Sequence, residues 1–224
     1  EVRNPLSGIG LALELMKDET ENEEHKQTIR DILNEISRLE RIVKGLFQLG
    51  HPKSVQLIEC TPNDIVERAL NLVSMKAKEK GVTIRKDLAC GVTFHVDHEQ
   101  IEQVVLNLLI NGIEATDGSG EVRVETRSNN GSVEIAVSDT GCGVPDEEME
   151  RILQPFYSTK ERGTGLGLAI SSRIVEAHKG KLHITSRVGE GSTFVVEIPS
   201  DLDEGTGPAE HGSGDRQIES VKLN

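Results

Sequence analysis

The sequence predicts an α-helical hairpin that dimerises as a four-helix bundle, followed by an α/β sandwich of a mixed sheet and three helices. The first 50 residues carry two heptad patterns, and after Gly50-His51-Pro52 the pattern changes to mixed strands and helices. From Ser200 onward the chain is acidic, rich in Gly and Ser, and without periodicity, which is typical of disorder. We therefore expect a helical hairpin at residues 1–50, a sandwich domain at 51–199 and a disordered acidic tail at 200–224.

The two predicted helices of the hairpin each carry a narrow apolar seam. One seam comprises Val2, Leu6, Ile9, Leu13 and Met16, and the other comprises Ile29, Ile32, Ile36, Leu39, Val43 and Leu46. Their alternating spacings of three and four are typical of coiled-coil contacts. The acidic stretch from Asp18 to Glu24 cannot join a seam and is predicted to be the connecting turn. Because one hairpin buries little apolar surface, we favour a homodimeric bundle over a single hairpin packed on the next domain.

Local signals delimit the elements of the predicted sandwich. Thr61-Pro62 opens a helix to about Lys80, and Asp97 with Gln100 forms a capping box for a helix to about Ala115. An Asn-Asn-Gly turn at 129–131 predicts a hairpin. The predicted strands are 82–88, 92–96, 122–127, 133–138, 182–186 and 193–198, and a loop at 154–166 leads into a helix to about Lys179.

Composition excludes several classes of function. The formal charge of −13 argues against binding to nucleic acid or anionic membranes. No apolar stretch is long enough to span a bilayer, and no signal peptide is apparent. The three scattered cysteines show neither zinc spacing nor a disulfide framework, which favours a reducing compartment. Among them, Cys142 is either a reactive thiol or a buried, inert one.

Two polar motifs stand in the predicted sandwich. Asn107 and Asn111 lie one turn apart on one helical face, and an amide oxygen suits Mg²⁺ while its NH₂ suits phosphate. Asp139 ends a strand, and a carboxylate accepts from the amine of adenine but repels the carbonyl of guanine. Gly141 and Gly143 would let the backbone approach a flat base. Taken alone, the asparagine pair and the Asp-Gly turn also fit ordinary surface structure.

Two further motifs follow in the predicted loop. Phe156-Tyr-Ser-Thr-Lys160 supplies a point charge for phosphate at its lysine, and Gly163-Thr-Gly-Leu-Gly167 leads straight into a helix. Glycines before a helix N-terminus expose backbone N–H groups to an anion. The GxGxG spacing without a preceding strand excludes a Rossmann motif, and the lack of a following Gly-Lys-Ser/Thr excludes a P-loop.

Together the four motifs resemble the ATP-binding domain shared by histidine kinases, the ATP-dependent heat-shock chaperones of the same superfamily, MutL proteins and type II topoisomerases. The asparagine helix looks like the N box, Asp139–Gly143 like the first glycine box, Phe156 like the F box and Gly163–Gly167 like the second glycine box. The resemblance covers roughly residues 55–199. It implies that ATP is bound by Asn107, Asn111, Asp139, Gly141, Gly143, Phe156, Thr159, Lys160, Gly163, Thr164, Gly165, Leu166 and Gly167, with Mg²⁺ at Asn111.

The resemblance also selects a branch of the superfamily. Its hydrolases carry a water-activating glutamate where this chain has Asn107, which cannot act as a general base. Glu1-Val-Arg-Asn-Pro-Leu6 resembles the segment after the phosphoacceptor histidine of sensor kinases, closest to the nitrogen-regulation and metal-stress subgroup. By resemblance, Glu1 polarises that histidine and Asn4 positions water for dephosphorylation of a response regulator. The histidine itself would precede Glu1, so we expect no autophosphorylation of this chain.

The implied function is a sensor histidine kinase core that phosphorylates a histidine from ATP and then exchanges the phosphate with a response-regulator receiver domain. The loop 154–166 would be a lid that nucleotide orders. We expect a cytoplasmic location, with any membrane contact made through an upstream region. Two alternatives remain open, an ATP-driven clamp or hydrolase and a module that only dimerises and docks a regulator.

Overall fold

The computed structural model describes residues 3–50, 54–160 and 163–200. The first two helices, α1 (Arg3–Glu19) and α2 (Glu23–Gly50), form the predicted hairpin. The turn between them is shorter than predicted, only residues 20–22. The Asn22 side-chain oxygen accepts from the backbone N–H groups of Glu24 and His25 at 2.9 and 3.2 Å. This cap draws the acidic residues after it into α2, where negative charge favours a helix N-terminus.

Each predicted heptad seam is only half covered within the hairpin. Ile29 and Ile36 are buried between the helices, whereas Ile32 and Leu39 are 43% and 40% exposed. The same alternation holds on α1, where Ile9 is 52% exposed. The hairpin therefore leaves a continuous apolar stripe open along one side.

The rest of the described chain is an α/β sandwich. Its elements are β1 (Ile58–Cys60), α3 (Pro62–Lys80), β2 (Thr83–Leu88), β3 (Phe94–Val96), α4 (His98–Ala115), β4 (Glu121–Asn129), β5 (Ser132–Asp139), α5 (Gly167–Ala177), β6 (Lys181–Arg187) and β7 (Gly191–Pro199). A mixed sheet has the order β2-β4-β5-β7-β6, with β2 and β4 parallel and the other pairs antiparallel. A separate ribbon joins β1, which was not predicted, to β3.

The core between the sheet and the three helices is mostly aliphatic, as expected of a chain with no tryptophan, one tyrosine and four phenylalanines. The α4 side chains of Leu108, Leu109 and Ile113 are fully buried, as is Ile135 on β5. Since α4 lies across the middle of this core, its other face is held rigidly toward the loops that follow β5.

The N-terminus of α4 is capped differently from the prediction. Asp97 accepts from the backbone N–H of Gln100 at 3.1 Å, but the Gln100 amide returns to the Asp97 carboxylate, not to its backbone N–H. That N–H donates instead to Nε2 of His178 at 3.0 Å. The predicted reciprocal capping box is therefore wrong in its second half. His178 is fully buried directly after α5, which ends at Ala177, two residues before the predicted end.

The hairpin contacts the sandwich through the last turns of α2. Gly45 is buried there, and a Cβ added to it would lie 2.7 Å from Cδ1 of Leu166. The amides of Gln48 and Gln103 pair at 3.2 Å, and the Arg173 guanidinium donates to the backbone carbonyl of Leu49. The hairpin is thus seated against the start of α5.

Candidate nucleotide-binding site

The polar face of α4 is the floor of the candidate site. Asn107, Asn111 and Glu114 follow one another at spacings of four and three, so they share one helical face, and all three are half-buried. The Asn107 amide donates to Oγ of Ser171 on α5 at 3.0 Å. The Asn111 amide makes no hydrogen bond with the part of the chain that the structure describes. Its oxygen is therefore available to an incoming ligand.

The second glycine motif packs directly against this face. A Cβ added to Gly167 would lie far inside van der Waals contact with Oδ1 of Asn107. Only glycine therefore allows the N-terminus of α5 to approach the asparagine so closely. This approach brings the exposed N–H groups at the start of α5 to the same end of the site as Asn107.

Asp139 forms the opposite wall, at the end of β5. Its side chain is buried and accepts from the backbone N–H of Gly141 at 2.8 Å. Burial raises the pKa of Asp139, while hydrogen bonds from the backbone of Gly141 and Ser192 and the charge of Lys160 oppose the rise. Gly112 of α4 packs closely against it, since a Cβ added to this glycine would lie only 3.3 Å from the Asp139 Cβ. The result is a buried hydrogen-bond acceptor beside α4.

The first glycine motif continues from this wall. Cys142 donates its backbone N–H to the carbonyl of Ala115 at 3.1 Å, and a Cβ on Gly141 would lie 2.5 Å from that carbonyl. Gly143 has φ +69°, in the left-handed region, and a Cβ there would overlap the Arg187 carbonyl. The Cys142 side chain is exposed, so the buried-thiol alternative is wrong.

The loop after the first glycine motif closes on the second. Phe156, which has φ 70° and is 58% exposed, donates its backbone N–H to the Gly165 carbonyl at 2.9 Å. Gly165 has φ +65°, and a Cβ there would overlap the backbone of Phe156. The Arg151 guanidinium lies 4.5 Å from the centre of the Tyr157 ring, within cation–π distance. The F-box and second-glycine-box segments are therefore one packed unit.

A pair of lysines meets on Glu114. Lys160 of the loop donates to one carboxylate oxygen at 2.6 Å, and Lys76 of α3 donates to the other. Burial alone would raise the pKa of Glu114, but the hydrogen bonds and charges of the two lysines outweigh it and lower that pKa. Lys160 is thereby held over the same α4 face as the asparagines.

Two family models match this chain. The model described as "Histidine kinase-, DNA gyrase B-, and HSP90-like ATPase" matches residues 96–202, and the "His Kinase A (phospho-acceptor) domain" matches residues 1–54. A solved catalytic domain of histidine kinase ThkA is 30% identical, with a TM-score of 0.61 over 65% of this chain and 96% of that one. The chain belongs to the sensor histidine kinase family.

Longer relatives share both parts of this kinase chain. Sporulation kinase C of Bacillus subtilis (strain 168) is 36% identical over 201 residues, 89% of this chain. The chain spans less than half the length of the curated relatives it matches, 46% for that kinase. ThkA in complex with the response regulator protein TrrA is 30% identical over 89% of this chain and 59% of that one, with a TM-score of 0.71. Full-length ShkA in complex with AMPPNP is 26% identical over 88% of this chain and 43% of that one, with a TM-score of 0.77.

The other residues predicted for the kinase site differ in exposure. Glu1 is outside the described residues, and Asn4 is exposed in the first turn of α1. Thr159 is exposed, whereas Gly163 and Thr164 are half-buried in the loop before α5. The structure adds residues that the sequence reasoning missed, namely Lys76, Gly112, Glu114 and Ser171. Of these, Glu114 carried a signal, since it lies three residues after Asn111 on the asparagine face.

No helix within the described ranges is both long and apolar enough to cross a membrane. In the same ranges, no group of three or more His, Cys, Asp or Glu side chains is placed to hold a metal ion.

Proposed function

We propose that this kinase core binds Mg²⁺–ATP, transfers the γ-phosphate to a histidine on the hairpin helix, and passes it to a receiver-domain aspartate. The same helix would dephosphorylate that receiver. The observation that carries the proposal is the joint placement of the Asn107–Asn111 face, the buried Asp139 and the glycine loop around one end of α4. A receiver-domain partner is supported by the ThkA complex with a response regulator.

Asp139 would select adenine in this proposal. Its carboxylate is a fixed acceptor because Gly141 already donates to one of its oxygens at 2.8 Å. The 6-amino group of adenine would donate to it, whereas the carbonyl of guanine would meet a second acceptor. We therefore expect ATP and ADP to bind far more tightly than GTP.

The residues around the phosphates would hold ATP without hydrolysing it. The Asn111 oxygen is a hard ligand, and Mg²⁺ usually takes only one or two protein ligands in addition to phosphates and water. When bound, Mg²⁺ would offset the charge of the phosphates. Asn107 is hydrogen-bonded to Ser171 and carries no basic group to activate water, so the γ-phosphate would await the histidine nitrogen. In the transfer, the bond to the β,γ-bridging oxygen breaks, a phosphorus–nitrogen bond forms and ADP leaves.

The acceptor would lie on a homodimeric four-helix bundle. The open stripe with Ile32 and Leu39 on α2 fits a second copy of the hairpin, and the match to the phospho-acceptor domain supports that partner. By resemblance, Glu1 would polarise the histidine and Asn4 would position the attacking water during dephosphorylation. We place this core in the cytoplasm, with no nucleic-acid partner, and any membrane contact would be made through an upstream region.

A matched pair of chains tests the proposed transfer. One carries a helical extension with histidine directly before Glu1, and the other is identical except for alanine at that position. Incubated with Mg²⁺ and γ-labelled ATP and analysed on alkaline gels, only the histidine chain should retain label. Equal labelling of both chains would mean that another residue accepts the phosphate and would overturn the assignment of the first helix.

A further inference from the structure

Glu114 binds a lysine of α3 on one side and a lysine of the loop before α5 on the other. On α3, Lys76 binds its first carboxylate oxygen. Lys80 donates to the carbonyls of Ile113 and Glu114 in α4 and of Thr116 just after it, at 3.1, 2.7 and 3.0 Å. The two lysines lie one turn apart on α3 and so fix the C-terminal end of α4. The second oxygen binds Lys160, which belongs to the loop.

The fixed carboxylate also lies next to the proposed phosphate position. Glu114 is three residues beyond Asn111, about 4.5 Å along the helix axis. Its partner Lys160 is the cation that the sequence assigns to the phosphates. The carboxylate of Glu114 therefore binds the same lysine ammonium that the sequence assigns to a phosphate.

We propose that Glu114 is a positioning residue of the nucleotide site, which binds the Lys160 ammonium in the empty protein and gives it up to the phosphates when nucleotide binds. This inference rests on the proposed ATP-binding function and deepens it. The phosphates of ATP present several anionic oxygens to the Lys160 ammonium, whereas Glu114 binds it through one oxygen. The phosphates therefore displace the carboxylate. The displaced carboxylate stays near the phosphates, since Lys76 and Lys80 hold its helix. Breaking the Glu114–Lys160 pair therefore lowers the affinity for ATP. Before nucleotide binds, the same pair keeps the loop ordered on α4.

The exchange is tested by Glu114→Gln, measured beside wild type by calorimetry with Mg²⁺–ATP and with adenosine. Removing the competing carboxylate should tighten ATP binding about three- to tenfold, the range expected for a partly exposed ion pair and its hydrogen bond. Adenosine affinity should not change, because adenosine has no phosphates. Lys160→Gln should weaken ATP binding, and the gain from Glu114→Gln should shrink in that background.

A second readout uses the protein without ligand. Hydrogen exchange at residues 156–160 should be faster in Glu114→Gln than in wild type, and saturating ATP should remove the difference. The control is Glu67→Gln, which breaks an ion pair with Lys86 between α3 and β2, away from α4. It should alter neither ATP binding nor exchange in the loop.

The outcomes separate the two proposals. Wild-type protein that binds no ATP would overturn the proposed function and the exchange together. ATP binding that Glu114→Gln weakens or leaves unchanged would overturn the exchange alone. An equal effect on adenosine and ATP would do the same, because it would indicate a general structural role for Glu114.

Discussion

Replacing Asp139 by Asn should separate nucleotide binding from stability. The amide keeps the shape and the oxygen that accepts from the Gly141 N–H, but it replaces the other acceptor by a donor that faces the adenine amine. Losing a hydrogen bond to a charged group costs about 1.5–3 kcal/mol, which corresponds to about 10- to 150-fold in affinity. We therefore expect ATP affinity to fall by about two orders of magnitude.

Stability without nucleotide should change little. Because burial raises the pKa of Asp139, the folded chain binds more protons than the unfolded chain at mildly acid pH, and ionisation of this group lowers stability as pH rises. At neutral pH the wild-type protein carries that cost in full. The amide side chain of the Asp139→Asn variant does not ionise, which removes this cost, but its NH₂ cannot accept from a backbone N–H as the carboxylate accepts from Gly141 and Ser192. The two effects oppose each other, so the variant should stay close to wild type in stability when empty.

Thermal unfolding with and without Mg²⁺–ATP measures both effects. At 100 times the wild-type Kd, ligand should stabilise wild type by about 2.7 kcal/mol, but a variant weakened 100-fold by only about 0.4 kcal/mol. For a chain of this size these values correspond to Tm shifts of about 5–10 °C and about 1–2 °C. Asp117→Asn, which changes a fully exposed carboxylate, is the control. An unchanged ATP-induced shift in Asp139→Asn would refute the reasoning.

Three further predictions follow from packing and protonation. Ile32→Lys with Leu39→Lys places charge in the open apolar stripe, so light scattering should show monomers with an intact sandwich. Gly143→Ala should cost several kcal/mol in urea unfolding, whereas Gly118→Ala, which has a similar φ of +61° but open space around it, should cost only about 1–2 kcal/mol. Burial lowers the pKa of His178, so the unfolded chain takes up its proton first, and unfolding free energy should fall as pH drops below about 6.5.

Each of these predictions has a contrasting variant or result. Leu72→Lys changes a side chain that is 62% exposed on α3 and should leave a dimer intact. Equal costs at the two glycines would mean that the Arg187 carbonyl moves aside without penalty. His178→Gln should flatten the acid dependence between pH 7.5 and 5.5; an unchanged slope would assign that dependence to other groups.

The elements that the sequence predicted well are those with local signals. Thr61 caps α3 by accepting from the Asp64 N–H at 3.2 Å, and Gly81 ends that helix at φ 73°. The turn at Asn130 and Gly131 has positive φ at both residues, as its sequence indicated. Each of these features depends on residues within a few positions of one another, so the local sequence is sufficient to predict it.

The features that the sequence did not predict depend on distant partners. The ribbon strand β1 has three residues, and its pairing with β3 crosses the whole of α3. Glu114 was missed because its partners, Lys76 and Lys160, are 38 and 46 residues away. His178 accepts a hydrogen bond from the Asp97 N–H, although the two residues are 81 positions apart in the sequence. The motifs therefore predict the kinds of ligand group in the candidate site, whereas the contacts between those groups depend on the fold.

Leu166 belongs to the second glycine motif and also packs against Gly45 of the hairpin. It therefore connects the candidate nucleotide site to α2. A turn of α2 by one residue position, about 100°, would replace the bare backbone of Gly45 by a side chain and push that leucine away. Any input that rotates α2 would then alter nucleotide affinity, and by thermodynamic reciprocity nucleotide would bias the rotation by the same factor. If a sensor domain is attached to this hairpin, its state would change nucleotide affinity, and bound nucleotide would in turn shift the equilibrium between the states of the sensor.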